Sequence, residues 1–245
     1  MAIVQTGATQ TFTALGGANT GTVSTTITVP ADAELALALW SGGGVAANFF
    51  SGGSMTFTKG GADTAMTSVT GGDADGFSWC CGYFYLTLPD TGSNKTLKWD
   101  WSGTGTADAN SMCTLSFWKG LDTTSPVRAS GAGQNTTNTP YTTGSISGAT
   151  GDLAIAGVGA FSTGAGSVNT WSNLTSVTQT TSGSAFSALA TGSPSGASTY
   201  AASTDTNLAD GSIVVATFKV AASTFVPPEF VDWHDGYFDP ELVSY

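Results

Sequence analysis

The 245-residue chain reads as an all-β protein, one large antiparallel β-sandwich of roughly 11 to 14 strands. Three observations predict this. Gly, Ser and Thr make up about two-fifths of the residues, with 33 Gly, and they are poor helix formers. Apolar residues recur with period two over short stretches, separated by turns that contain Gly, Asp or Asn. Only 9% of residues are charged, against roughly 25% in a typical soluble domain. The 40% hydrophobic and 11% aromatic content is ample for a core.

Taken in order, Val23, Thr25, Ile27 and Val29 alternate with Ser and Thr until Pro30 ends the run. Leu35, Leu37 and Leu39 alternate with alanines and lead through Trp40 into Gly42-Gly43-Gly44. Met55 to Thr58 gives a short strand. Phe77 to Leu88 is apolar on both faces until Thr87, the pattern of a central strand covered on both sides. Leu97, Trp99 and Trp101 share one face of the next strand, and Cys113, Leu115 and Phe117 form the stripe after it. Leu153, Ile155 and Gly157 alternate with Ala154, Ala156 and Val158. The last clear strand runs from Ile213 to Val220. Gly71-Gly72-Asp73, Pro89 to Gly92, Ala209-Asp210-Gly211 and Gly131 to Gly133 are read as turns.

Gly120 to Pro140 is polar and turn-rich, so it is expected to be a long loop or a boundary. A split there would leave halves of unequal length, neither with a separate complete pattern of its own. One body over residues 1–224 is the preferred reading, followed by an extended C-terminal arm over 225–245. The arm differs sharply in composition. It holds five of the 17 acidic residues, no Lys or Arg, and the rings of Phe225, Phe230, Trp233, Tyr237, Phe238 and Tyr245. Pro227-Pro228 favours an extended entry. Rings interleaved with acids suit a recognition segment that lays aromatics in apolar pockets, so these six residues and His234 are the candidate partner-binding set.

Candidates for chemistry are few. His234 is the only histidine and has no nucleophile beside it, so no catalytic residue is assigned. Glu34 is the only Glu of the body and most aspartates sit in Gly-rich turns, which leaves no marked carboxylate pair for glycoside hydrolysis. Asp73-Ala74-Asp75-Gly76 is a fragment of a calcium loop without its remaining ligands and reads as a turn. The three cysteines lack zinc spacing and read as packed thiols. No cofactor or metal is expected. Trp99 and Trp101 could form a sugar-stacking platform, although core packing explains alternating aromatics at least as well. Six cations are too few to line a nucleic-acid surface, and the net charge is −11. No stretch is long and apolar enough to span a membrane, and the first residues lack a signal-peptide pattern, so synthesis in a host cytoplasm is expected.

Residues Leu86 to Val127 combine a strand ending in Leu-Pro, a turn, an alternating strand closing in Trp-Ser-Gly, and a hydrophobic strand. Gly120-Leu121-Asp122-Thr123-Thr124-Ser125-Pro126-Val127 follows, and Gly151-Asp152-Leu153-Ala154-Ile155 fits the strand that comes after it. This text resembles jelly-roll-like β-sandwich structural proteins of tailed bacteriophages, over about 70 residues. Their pattern has Val where Leu121 stands. The resemblance implies a virion location and a component that is not an enzyme: a head decoration, fibre or tail-associated subunit. Its partners would be other virion proteins or copies of itself, in a homo-oligomer or larger assembly. A glycan-binding, host-adhesion module is the alternative, and a polysaccharide-degrading enzyme stands third. Asp122 is expected to cap its turn, and Pro126 to stop the preceding strand.

Overall fold

A computed structural model describes residues 2–13, 22–43, 53–69, 79–100, 111–135, 140–162, 167–183, 185–204 and 208–222. Among them every regular element is a β-strand and every pairing between strands is antiparallel, so the all-β reading holds. The first half of the chain holds β1 (Val4–Gln5), β2 (Gln10–Phe12), β3 (Thr22–Val29), β4 (Leu35–Gly43) and β5 (Ser54–Lys59). It continues with β6 (Ala62–Ala65), β7 (Thr67–Ser68), β8 (Trp79–Thr87), β9 (Gly92–Asp100) and β10 (Met112–Lys119). The second half holds β11 (Val127–Asn135), β12 (Tyr141–Thr142), β13 (Leu153–Ser162) and β14 (Val168–Ser172). It ends with β15 (Thr175–Ser182), β16 (Ala185–Gly192), β17 (Ala201–Thr204) and β18 (Leu208–Phe218). These 18 strands exceed the 11 to 14 expected, because β1, β2, β6, β7, β12 and β17 have only two to four residues each, too few for an alternation to show.

The strands form four sheets rather than the two of a single sandwich. In the first half an inner sheet has the order β1-β10-β4-β8-β7, with β2 also on β10, and an outer sheet has the order β3-β9-β5-β6. In the second half the inner order is β11-β18-β13-β16-β15 and the outer order is β12-β17-β14. One topology is thus written twice. β4, β8 and β10 correspond to β13, β16 and β18, and the register agrees: Leu35 lies opposite Trp118 as Leu153 lies opposite Phe218. Each half therefore carries a complete two-sheet pattern, contrary to the expectation from the sequence.

Three apolar layers hold the four sheets together. Ala36, Ala38, Trp40, Phe84, Leu115 and Phe117 of the first inner sheet pack on Ile27, Met55, Phe57, Leu97 and Trp99 of its outer sheet. Ala156, Val158, Phe186, Ile213 and Val215 of the second inner sheet pack on Tyr141, Val168 and Ala202 of its own. The third layer lies between the two inner sheets. There Leu35, Leu37, Leu39, Cys81, Tyr83 and Trp118 meet Ile155, Leu189, Val214, Ala216 and Phe218. The inner strands are therefore buried on both faces. This was read for β8 alone, and β8 does send Cys81 and Tyr83 to one layer and Phe84 and Leu86 to the other. It lies next to the two-residue edge strand β7, and the middle of the sheet is β4.

Several glycines read as turns stand inside strands, where their lack of a side chain is what matters. Gly42 and Gly43 end β4, Gly131 and Gly133 lie in β11, and Gly211 lies in β18. A Cβ on Gly133 would overlap the Thr142 carbonyl, and one on Gly211 the Tyr141 ring. The expected long loop from Gly120 to Pro140 accordingly contains β11, a nine-residue strand paired with β18. Its Gly-Ala-Gly composition hid it. Between the inner sheets, Gly157 faces Leu39 and Tyr83, and Gly159 faces Ser41 and Cys81, so the backbones approach closely where these residues lie.

Replacing Gly157 by Val should lower stability by about 1–3 kcal/mol, because the added methyls would overpack against Leu39 and the Tyr83 hydroxyl. Gly144→Ala meets open space and should stay within about 0.5 kcal/mol of wild type. Urea unfolding of the two variants checks both, and equal midpoints would contradict the packing described here.

Candidate functional site

The segment joining the halves is the best-fixed polar feature of the molecule. Gly120 turns with φ 84°, a conformation that favours glycine, and the Ala2 carbonyl packs where a Cβ would stand. Glu34, just before β4, accepts hydrogen bonds at Oε2 from the Gly120 N–H at 2.6 Å and the Leu121 N–H at 3.2 Å. Leu121 is buried and bridges to Val220. The linker then runs antiparallel to the end of β18: Asp122 N–H donates to the Lys219 carbonyl, Lys219 N–H to Pro126 and Ala221 N–H to Gly120. Asp122 Oδ1 accepts from the Thr124 and Ser125 N–H groups, the capping role expected of it. Ser125 and then Thr124 hold its carboxyl below the ordinary value.

The other described carboxylates at this end are likewise engaged in structure. Asp32 binds Lys119 and Thr6, which lower its pKa in that order. Asp90 accepts from the Gly61 and Gly60 N–H groups, and these lower its pKa. Asp152, with 1% of its side chain exposed, takes Arg128 Nε and Nη2 and the Ala149 N–H. Asp152 precedes β13 as Glu34 precedes β4, so each half opens its second long strand with a carboxylate that fixes a neighbouring turn.

Between the edge strand β7 of the first half and β11 of the second lies a groove of about 380 Å³. Val69, Tyr85 and Val127 give it an apolar lining; Thr67, Ser68, Arg128 and Ser130 give it polar groups. It is formed jointly by the two halves. Nothing in the sequence marked it, because its walls come from segments 60 residues apart.

Of the candidate residues read from the sequence, Trp99 is 1% exposed and packs against Trp40 with ring centroids 6.4 Å apart. Its ring has no open face for a sugar. Trp101 lies outside the described residues, as do Asp73 to Gly76 and the whole partner-binding set Phe225, Phe230, Trp233, His234, Tyr237, Phe238 and Tyr245. Cys81 and Cys113 are free and buried, and burial pushes the Cys113 thiol up to about 12. Among the described residues no group of three or more His, Cys, Asp or Glu is placed to hold a metal ion, and no helix is long and apolar enough to cross a membrane. No family model, no curated protein and no solved structure matches the chain.

Two outcomes follow from these carboxylates. Asp32, Asp90 and Asp122 have lowered folded values, so their stabilisation is complete above the unfolded carboxylate pKa of about 4 and is lost as pH falls through the folded values. The urea midpoint should fall below about pH 4, and a midpoint that rises on acidification would contradict this. Arg128→Met leaves the buried Asp152 carboxylate with the Ala149 N–H alone, and should cost about 1–3 kcal/mol in the same measurement at neutral pH.

Proposed function

We propose that the protein is a non-enzymatic structural component of a virion, a head decoration, fibre or tail-associated subunit, built from two tandem jelly rolls. The duplicated strand order carries this reading. In the second half the first, eighth, third and sixth strands share one sheet and the second, seventh and fourth share the other. Apart from the fifth strand, β15, which extends the first sheet beside the sixth, this order is like that of a jelly roll, an architecture common in viral capsid proteins and lectins. The first half repeats it, with β6 and β7 crossing from the outer to the inner sheet as one interrupted strand.

Two further features favour a structural role. The sandwiches are joined by a broad apolar layer, which makes a rigid block rather than a hinge around a cleft. The described carboxylates at the linker end cap turns and bind lysines or arginine, as a scaffold would use them. The resemblance of residues 86–127 to tailed-phage structural proteins supports the virion setting. In this reading the body and the segment 225–245 contact neighbouring copies or other virion proteins. The glycan-binding alternative ranks below it, since the one described member of the proposed tryptophan pair is enclosed in the core.

Native mass spectrometry and light scattering of the full chain should give multiples of the 24.6 kDa subunit, or particles visible by electron microscopy. A strict monomer at every concentration, together with hits on a glycan array, would overturn the structural reading in favour of the adhesion module.

A further inference from the structure

The described cations are gathered toward one end of the strands. At the linker end β10 and β18 finish and β4, β9, β11 and β13 begin. Lys59, Lys95, Lys119, Arg128 and Lys219 stand in this region, and the ammonium of Lys98 on β9 is held by Asp63 of the β5–β6 hairpin. With Asp32, Glu34, Asp63, Asp90, Asp122 and Asp152, this end has six acids for six cations. Among the described residues the far end shows Asp100, on which β9 closes, and Asp210, near which β18 begins, and the cation nearest to it, Lys98, is held by Asp63.

Segment 225–245 leaves from the balanced end. Val220 bridges to Leu121 and the Ala221 N–H donates to the Gly120 carbonyl at 2.9 Å, so the chain departs alongside the linker, running away from Val127 and from the groove of its own body. Five carboxylates without a cation of their own are drawn to the linker end, where the described cations stand. There the β7–β11 groove offers the partly exposed Tyr85 and Val127 to aromatic rings. Arg128 commits Nε and Nη2 to Asp152 and keeps Nη1 for an incoming carboxylate. Lys219 stands close by, its backbone N–H bonded to Pro126 at the start of β11.

We propose that the groove between β7 and β11 receives the acidic-aromatic segment 225–245 of a second copy of this chain. Rings of that segment occupy the apolar lining, and its carboxylates face Arg128 and Lys219. Copies then associate through their linker ends. This rests on the assembly role proposed above and names the surface that would perform it.

The test uses full-length chains. Ser68 is exposed on the groove wall, outside the apolar layers, so Ser68→Trp should fill the groove and leave the fold intact. It should weaken self-association at least tenfold in sedimentation, and raising the salt concentration should weaken the wild type. Separately, a Ser68→Cys chain mixed with a Tyr237→Cys chain under mild oxidation should give a mixed disulfide dimer, with wild type as the control for native cysteines. If wild type assembles while Ser68→Trp assembles equally well, or if the two cysteines join only when carried by one chain, this proposal is overturned and the assembly role stands. If wild type does not self-associate at all, this proposal is overturned, and the assembly role falls with it only where glycan-array hits accompany the monomer.

Discussion

Everything in this structure depends on two sheets that are apolar on both faces. A sheet with one polar face can end a sandwich, but the inner sheets here must each be covered twice. Each is covered once by its own outer sheet and once by the other inner sheet, which fixes the sequence of layers as outer, inner, inner, outer. The layer between the inner sheets is built from Leu37, Leu39 and Tyr83 on one side and Leu189, Val214 and Phe218 on the other, with all of these at most 1% exposed. Uncovering it would expose large apolar side chains on both halves at roughly 25 cal/mol per Å².

The close approach of these sheets has a chemical consequence. Where β4 and β8 cross β13 and β18, the side chains shrink to Ser41, Cys81, Gly157, Gly159 and Ser212. Polar contacts replace bulk there: Ser212 Oγ donates to Cys81 Sγ at 3.1 Å, and Cys81 Sγ reaches the Ser212 carbonyl at 3.4 Å. The Leu-rich layer toward the linker end gives the two halves apolar area. The small residues bring the backbones close and set the register of one half on the other. The linker adds a third constraint, since Glu34 ties Gly120 and Leu121 to the start of β4 while the same segment pairs with the end of β18.

Much of this was legible in the sequence, and the remainder was hidden for physical reasons. The all-β class, the strands around Ile27, Leu37, Leu97, Leu115, Ile155 and Val214, and the Asp122 cap follow from alternation and turn chemistry. The duplication escaped because Ala and Gly look neutral in an alternation count. In Leu35-Ala36-Leu37-Ala38 the leucines face the shared layer and the alanines face the first sandwich, so both faces are buried. The signal was present: Glu34-Leu35-Ala36-Leu37-Ala38 and Asp152-Leu153-Ala154-Ile155-Ala156 are the same strand opening written twice, and Phe117-Trp118-Lys119 is echoed by Thr217-Phe218-Lys219. The groove could not be found this way, because no local pattern encodes the meeting of β7 with β11. The aromatic segment 225–245 is conspicuous by composition alone.

The central claim, that the layer between the inner sheets makes the two halves one cooperative unit, is tested most directly by hydrogen exchange with mass spectrometry in increasing urea. Peptides covering β4 and β8 and peptides covering β13 and β16 should converge on a single opening free energy and a single dependence on denaturant. Two separate values, with one half exchanging through an opening that leaves the other protected, would show that the shared layer does not couple them and would contradict the account.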